Sequence, residues 1–275
     1  CNWVQALEGS IDTAHFTFAH LTFSKREDEA LDVAKHLVKP VARLATDHTR
    51  WIAEDPRPVI KVLEHDAGLV VAGGRQTGGD EIYWRVAQYL MPVHTYAPNA
   101  MPGEFIFGQS FVPYTDTNCW IYTYFWHPDR PFTDEERANF RAGHGVFADV
   151  DENYVPRRNR GNDYLIDRTL QRTGNYTGIK GISEQDSAVQ DSQGPIVDRT
   201  REHLGPSDLG IMRFRKYVFD AARALAGGTE PSAVDAASHY AVRAGASVTS
   251  SATPFEQVMT ERFGNPAGLI GEDAQ

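Results

Sequence analysis

Two cysteines, Cys1 and Cys119, are all that the 275 residues contain. That scarcity excludes a disulfide framework, a cysteine-rich zinc module and a four-cysteine iron–sulfur cluster, and it suits a reducing cytoplasm. No run approaches the ~18 consecutive apolar residues that span a bilayer, and no basic-then-apolar opening marks secretion. A membrane is therefore not an expected partner. Basic blocks are missing too: 27 Lys and Arg against 37 Asp and Glu leave a net charge of −10, so nucleic acid is not an expected partner either. What remains is a chain that is 41% hydrophobic, enough for a sizeable core, without internal repeats. It opens at Cys1 within a helically spaced segment, with no Met and no polar leader, and a preceding N-terminal part is expected.

Residues 2–21 carry helical spacing that ends irregularly around Phe16, Thr17 and Phe18. The charged, proline-broken stretch 24–57 reads as an excursion or lid. Val59–Leu63 and Leu69–Ala72, parted by His65, Asp66, Ala67 and Gly68, predict a hairpin. Glu81–Met91, Glu104–Val112 and Asn118–Trp126 are rich in aromatic and β-branched residues and predict three more strands. With no helix between them, these strands predict an antiparallel meander rather than βαβ units. Thr133 and Glu136 form a capping box for a short helix, Ser183 to Asp186 looks like a second cap, and Ser207 opens the longest helix, stopped by Gly227 and Gly228. Its apolar stripe is Ile211, Phe214, Val218, Ala222 and Leu225. The Ala-, Ser-, Thr- and Gly-rich remainder reads as a loosely docked tail. The sum is an α+β domain with helices on one face of its sheet. Residues 1–228 are expected to form one domain, and 229–275 an extension packed on or trailing from it.

The densest set of ligand-type residues is Glu8, Asp12, His15 and His20. On an ideal helix the first three share a face while His20 lies roughly 140° from His15. A break after His15, around Phe16 to Phe18, would let both imidazoles face one ion. Two His from one segment and a carboxylate from elsewhere form the facial triad of non-haem Fe(II) oxygenases; one core and one surface histidine is the plainer alternative.

Cys1-Asn2-Trp3-x-Gln5-x-Leu7-Glu8-Gly9-x-Ile11-Asp12-x2-His15-x4-His20 resembles the mononuclear-iron motif of Rieske non-haem iron oxygenases, in the phthalate dioxygenase-like branch of oxygenase components. The resemblance continues through Tyr83-Trp84-Arg85, Asn175-Tyr176-Thr177-Gly178-Ile179, Glu184-Gln185-Asp186-x-Ala188, Gly194-Pro195-Ile196 and Leu204-Gly205-x-Ser207-Asp208, in order to about Leu225. It implies a helix-grip (START-like) fold, in which a curved antiparallel sheet wraps a long C-terminal helix. It also implies Fe(II) held by His15, His20 and Asp186, with Glu184 and Asp191 as rival carboxylates and a helix cap as the other reading of Asp186. Asp12 would bridge to a Rieske-cluster histidine of the next subunit, and Glu8 would support it. The [2Fe–2S] cluster needs Cys-x-His and Cys-x2-His pairs, which are absent here and are expected N-terminal to Cys1. The implied partners are O2, an aromatic acid, an NAD(P)H-dependent reductase and further copies of the chain in a homotrimer or a multiple of one.

Phe107, Phe111, Trp120, Tyr122 and Tyr124 are candidates for pocket lining or for plain core, and Arg85, then Arg75, for anchoring a substrate carboxylate. Three functions are compatible with these residues: an oxygenase domain that hydroxylates or O-demethylates an aromatic acid, a non-catalytic helix-grip protein carrying an apolar ligand, and a zinc hydrolase. The motifs flanking the histidines speak against the third.

Overall fold

The structure, a computed structural model, describes residues 1–20, 50–98, 106–127, 130–141, 148–235 and 242–264. The apolar positions between 31 and 41 and the start of the fourth predicted strand, before Ile106, lie outside these residues. A curved, open antiparallel sheet organises the rest, with strand order β1-β2-β3-β4-β5-β6. Its strands are β1 (Val59–His65), β2 (Gly68–Gln76), β3 (Glu81–Leu90), β4 (His94–Ala97), β5 (Ile106–Thr115), β6 (Asn118–Trp126) and β7 (Gly245–Ser250). The meander and the α+β helix-grip class are as the sequence predicts.

Two strands lack the expected signal. Four-residue β4 is too short to show a period, and β7 lies in the stretch read as a loose tail. Both pair with the same edge of β3: β7 along Glu81–Val86, β4 along Gln88–Leu90. The sheet therefore forks, and at the fork the buried Gln88 side chain donates from Nε2 to the Arg243 carbonyl at 2.9 Å. β3 is buried on both faces over most of its length, which explains its continuous run of large residues.

Alternation along the strands sends two residue sets to two cores. One face carries Val62, Leu69, Val71, Tyr89 and Phe111 against α1 (Trp3–Ile11) and the long helix Leu209–Ala226. The other carries Leu63, Val70, Ala72, Trp84 and Val86 against Phe255, Val258, Met259 and Phe263. Helical segments thus cover both faces, not one, because the chain beyond β7 returns across the back of the sheet. β6, at the sheet edge, exposes Trp120 and Tyr122, which serve neither pocket nor core. In the long helix Ile211 and Phe214 are buried as the stripe predicts, but Leu225 is exposed because the last turns run past the sheet.

At Gly210 the long helix seats directly on the Val71 side chain of β2. A Cβ at Gly210 would stand 2.5 Å from Val71 Cγ1. Gly210→Ala is accordingly expected to destabilise the fold by about 1–3 kcal/mol through overpacking. A Val71→Ala background should recover part of that loss in a denaturant double-mutant cycle, whereas additive losses would place the strain elsewhere.

Candidate metal centre

The first helix ends because Asp12 ends it. Asp12 has extended backbone geometry (φ −77°, ψ 118°), and its carboxylate accepts from the backbone N–H of Ala14 at 2.8 Å and of His15 at 3.2 Å. Such an Asx turn offers the backbone an alternative to another helical turn. A single-turn helix, α2 (Phe16–Ala19), follows, with His15 and His20 as its two caps. The break thus falls at Asp12–Ala14, before His15, rather than around Phe16–Phe18. The imidazoles meet because they flank one short turn, with Nε2 atoms 3.1 Å apart.

Arg75 and Arg85 hold this turn to the sheet, and Ile52 holds it from the side. The buried Arg75 guanidinium donates to the Thr13 carbonyl at 2.8 Å, to Thr17 Oγ1 at 3.4 Å and to the Asp55 carbonyl at 3.2 Å. Thr17 donates its hydroxyl to the Ile52 carbonyl at 3.3 Å. Residues 50–54, the only described part of the predicted excursion to form a helical turn, bury Trp51 and Ile52 beside Tyr83. Phe16 lies edge-on to His20, and the Arg85 guanidinium sits over the Phe16 ring, 4.4 Å from its centre. Arg75, Tyr83 and Arg85 share one sheet face, as their register requires.

The third ligand-type residue arrives on the helix Ile182–Ser192. Gly181, not Ser183, caps that helix, so Asp186 lies inside it and caps nothing. Asp186 Oδ1 stands 3.1 Å from His20 Nε2 and 3.5 Å from His15 Nε2. The rival carboxylates are engaged elsewhere: Glu184 accepts from the Asp149 N–H, and Asp191 from the Tyr164 hydroxyl. Glu8 is also placed apart. Its carboxylate accepts from Arg215 and Arg199, which also hold Glu202, and so bolts α1 to the long helix.

His15, His20 and Asp186 suit a metal ion. All three donor atoms lie within 4.8 Å of one another. Neighbouring ligands of one ion with bonds of ~2.1 Å stand about 3.0 Å apart on an octahedral face and about 3.4 Å apart in a tetrahedron, the spacing found here. Each histidine also has a partner behind it: Asp12 Oδ2 lies 3.3 Å from His15 Nδ1, and Gln185 Oε1 lies 2.6 Å from His20 Nδ1. Metal-binding imidazoles are oriented in this way. Sequence reasoning had assigned no role to Gln185 and took Arg75 for a substrate anchor. Only side-chain directions, which spacing does not encode, reveal either position.

Burial opposes an imidazolium at His15, but hydrogen bonding and attraction from Asp12 and Asp186 outweigh it and push the pKa up to about 10. Burial likewise opposes the charged forms of Asp186 and Asp12. The two histidines beside Asp186, and His15 beside Asp12, outweigh that penalty and hold both carboxyls below their usual range. A metal bound by these three side chains would have to displace the His15 proton. Calorimetry in buffers of different ionisation enthalpy is expected to find about one proton released per divalent ion, with affinity rising about tenfold per pH unit from 7 to 9. Uptake independent of pH would contradict a charged His15.

A family model described as LigXa C-terminal domain like matches residues 1–260. The 3-chlorobenzoate-3,4-dioxygenase oxygenase subunit of Comamonas testosteroni is 32% identical over 95% of this chain and 60% of its own length. The phthalate 4,5-dioxygenase oxygenase subunit of Pseudomonas putida is 33% identical over 83% of this chain and 50% of its own. The 5,5'-dehydrodivanillate O-demethylase oxygenase subunit of Sphingobium is 24% identical over 85% of this chain and 44% of its own. This chain thus spans about half to three fifths of the length of the two nearer relatives. By the extent of the family match, it belongs to the LigXa C-terminal domain-like family, a catalytic-domain family of Rieske oxygenases.

Proposed function

We propose that His15, His20 and Asp186 hold a mononuclear Fe(II), and that this domain hydroxylates or O-demethylates an aromatic acid. The observation that carries this reading is the convergence of two imidazoles and a carboxylate at 3.1, 3.1 and 3.5 Å, an N2O set that leaves half an octahedral sphere open. The relatives' names support the substrate class, since 3-chlorobenzoate and phthalate are aromatic carboxylates. Bound Fe(II) supplies activation of O2, with electrons from a [2Fe–2S] Rieske cluster served by an NAD(P)H-dependent reductase.

The protein's part is placement. Asp12 fixes the His15 ring, yet its side chain stays 22% exposed, so it is free to bridge to a cluster histidine of the next subunit in a homotrimer or a multiple of one. Phe16 and the aromatic ring of Tyr83 give the neighbourhood of His20 an apolar wall. Of the two buried arginines, Arg75 donates to the ligand turn, while Arg85, which stacks on Phe16 and donates to the Pro98 carbonyl at 3.3 Å, is the proposed anchor for a substrate carboxylate.

His15→Ala and Asp186→Ala are each expected to lower Fe(II) affinity at least about 100-fold in anaerobic titrations. Asp12→Asn should still load at saturating Fe(II) while slowing NADH-driven turnover of the assembled oxygenase; an unchanged rate would remove Asp12 from electron transfer. Arg85→Met should weaken binding of a benzoate-type acid about tenfold to a hundredfold, the worth of a charge-assisted hydrogen bond of roughly 1.5–3 kcal/mol, and spare an uncharged analogue. Equal losses for acid and analogue would discard Arg85 as the anchor.

A further inference from the structure

We infer that Gln185, set by the loop Asn175–Ile179, is a positioning residue that locks the tautomer of His20, so that only Nε2 is offered to the metal; this rests on the metal reading above. The deduction starts at a group with no ambiguity. A backbone carbonyl only accepts hydrogen bonds, and the Ile179 carbonyl lies 2.9 Å from the Gln185 side-chain nitrogen. The amide must therefore turn its NH2 group to Ile179 and its oxygen, Oε1, to His20. That oxygen has no proton to give, and at 2.6 Å from His20 Nδ1 it requires the proton to sit on Nδ1. The lone pair of the neutral ring is then on Nε2, the atom that faces His15 Nε2 and Asp186 Oδ1.

The loop that holds the Ile179 carbonyl in place is itself specified by sequence. Asn175 accepts from the Gly178 N–H at 2.6 Å and donates from Nδ2 to the Ile179 carbonyl at 3.1 Å. Gly178 turns the chain with φ +69°, where a Cβ would also stand 2.6 Å from the Asp167 carbonyl oxygen. Asn175, Ile179, Gln185 and His20 are all at least nine-tenths buried. Water therefore has little access with which to replace any member of the chain, and a wrong tautomer would set two acceptors, Oε1 and a bare Nδ1, against each other. The segment Asn175-Tyr176-Thr177-Gly178-Ile179 thereby acquires a physical task, although none of its own side chains belongs to the donor set. Gln185 and Asp186, successive on one helix, grip the two nitrogens of one ring.

The experiment loads the chain with Zn(II), a diamagnetic stand-in, and reads two quantities: affinity by competition with a chromophoric chelator, and the His20 ring proton by 15N-resolved NMR. Wild type should show His20 metallated through Nε2 with a slowly exchanging Nδ1 proton. Gln185→Leu should lose that proton's protection and bind Zn(II) about 10–100-fold more weakly. Gln185→Glu keeps an acceptor for Nδ1 and should retain the tautomer and bind within about tenfold of wild type. Asn175→Ala, which leaves Gln185 in place, should weaken binding in the same direction as Gln185→Leu but less. Metallation of wild-type His20 through Nδ1 would overturn the lock even if Gln185→Leu failed to fold. Wild-type affinity and proton protection in a folded Gln185→Leu chain would overturn it too, leaving the metal site standing. If instead wild type bound Zn(II) no better than His20→Ala, the metal reading would fail and the lock with it.

Discussion

The carboxylate of Asp12 is the hinge of the structure. It takes up the N–H groups of Ala14 and His15, which a longer helix would have satisfied from its own carbonyls, and so stops α1 where the two histidines need it to stop. Without that stop the imidazoles would project from one rod on different sides. The same carboxylate then faces His15 Nδ1, so the group that breaks the helix also orients the first ligand. Arg75 completes the turn from the sheet side by donating to the Thr13 carbonyl in the middle of the break. A bare peptide bend would be floppy; this one is held on one side by a carboxylate and on the other by a guanidinium.

The helix that leads into the ligand turn and the helix that bears Asp186 are joined by a different device. Gln5, buried in α1, donates from Nε2 to the Gln190 and Gly194 carbonyls, and its Oε1 accepts from the Val197 N–H. One side chain thereby reads three backbone groups at the end of the helix that bears Asp186. On the opposite flank, the carboxylates of Glu8 and Glu202 surround Arg215 and Arg199, tying α1 to the long helix. Partly buried ion pairs of this kind specify one arrangement more than they add stability. Here the arrangement they specify is the seat of α1 on the long helix, while Gln5 sets its place beside the helix that bears Asp186.

Much of this was legible in the sequence, and for identifiable reasons. Strands β1, β2, β3 and β6 announce themselves because their β-branched and aromatic runs are bounded by turn residues, and Thr133 with Glu136 forms the reciprocal cap that its spacing predicts. The pair His15 and His20 was visible as a pair, but spacing alone placed the break on the wrong side of His15, since an Asx turn at Asp12 and a surface aspartate look alike in a string. β7 was missed because its Gly, Ala and Ser residues carry little strand signal; pairing with β3 overrides their weak propensity. The roles of Gln185 and Arg75 depend on which way a polar side chain points once buried, and a polar residue's burial is decided by partners far away in sequence.

The fork at β3 has a bearing on how the protein comes to be folded. Arg85 lies opposite Ala246 on β7, and His20 meets a residue 165 positions further on. Neither the ligand turn nor the wall beside it can be completed from local contacts, so the half of the sheet near the metal donors stays open until almost the whole chain is present. Closing such distant pairings is the slow kind of ordering, because loop entropy is lost before any contact compensates. The hairpin β1–β2 and its neighbour β3 can form early as a platform. The candidate metal centre is the place where early, middle and late parts of the chain must arrive together, which makes assembly of the site a report on completion of the fold.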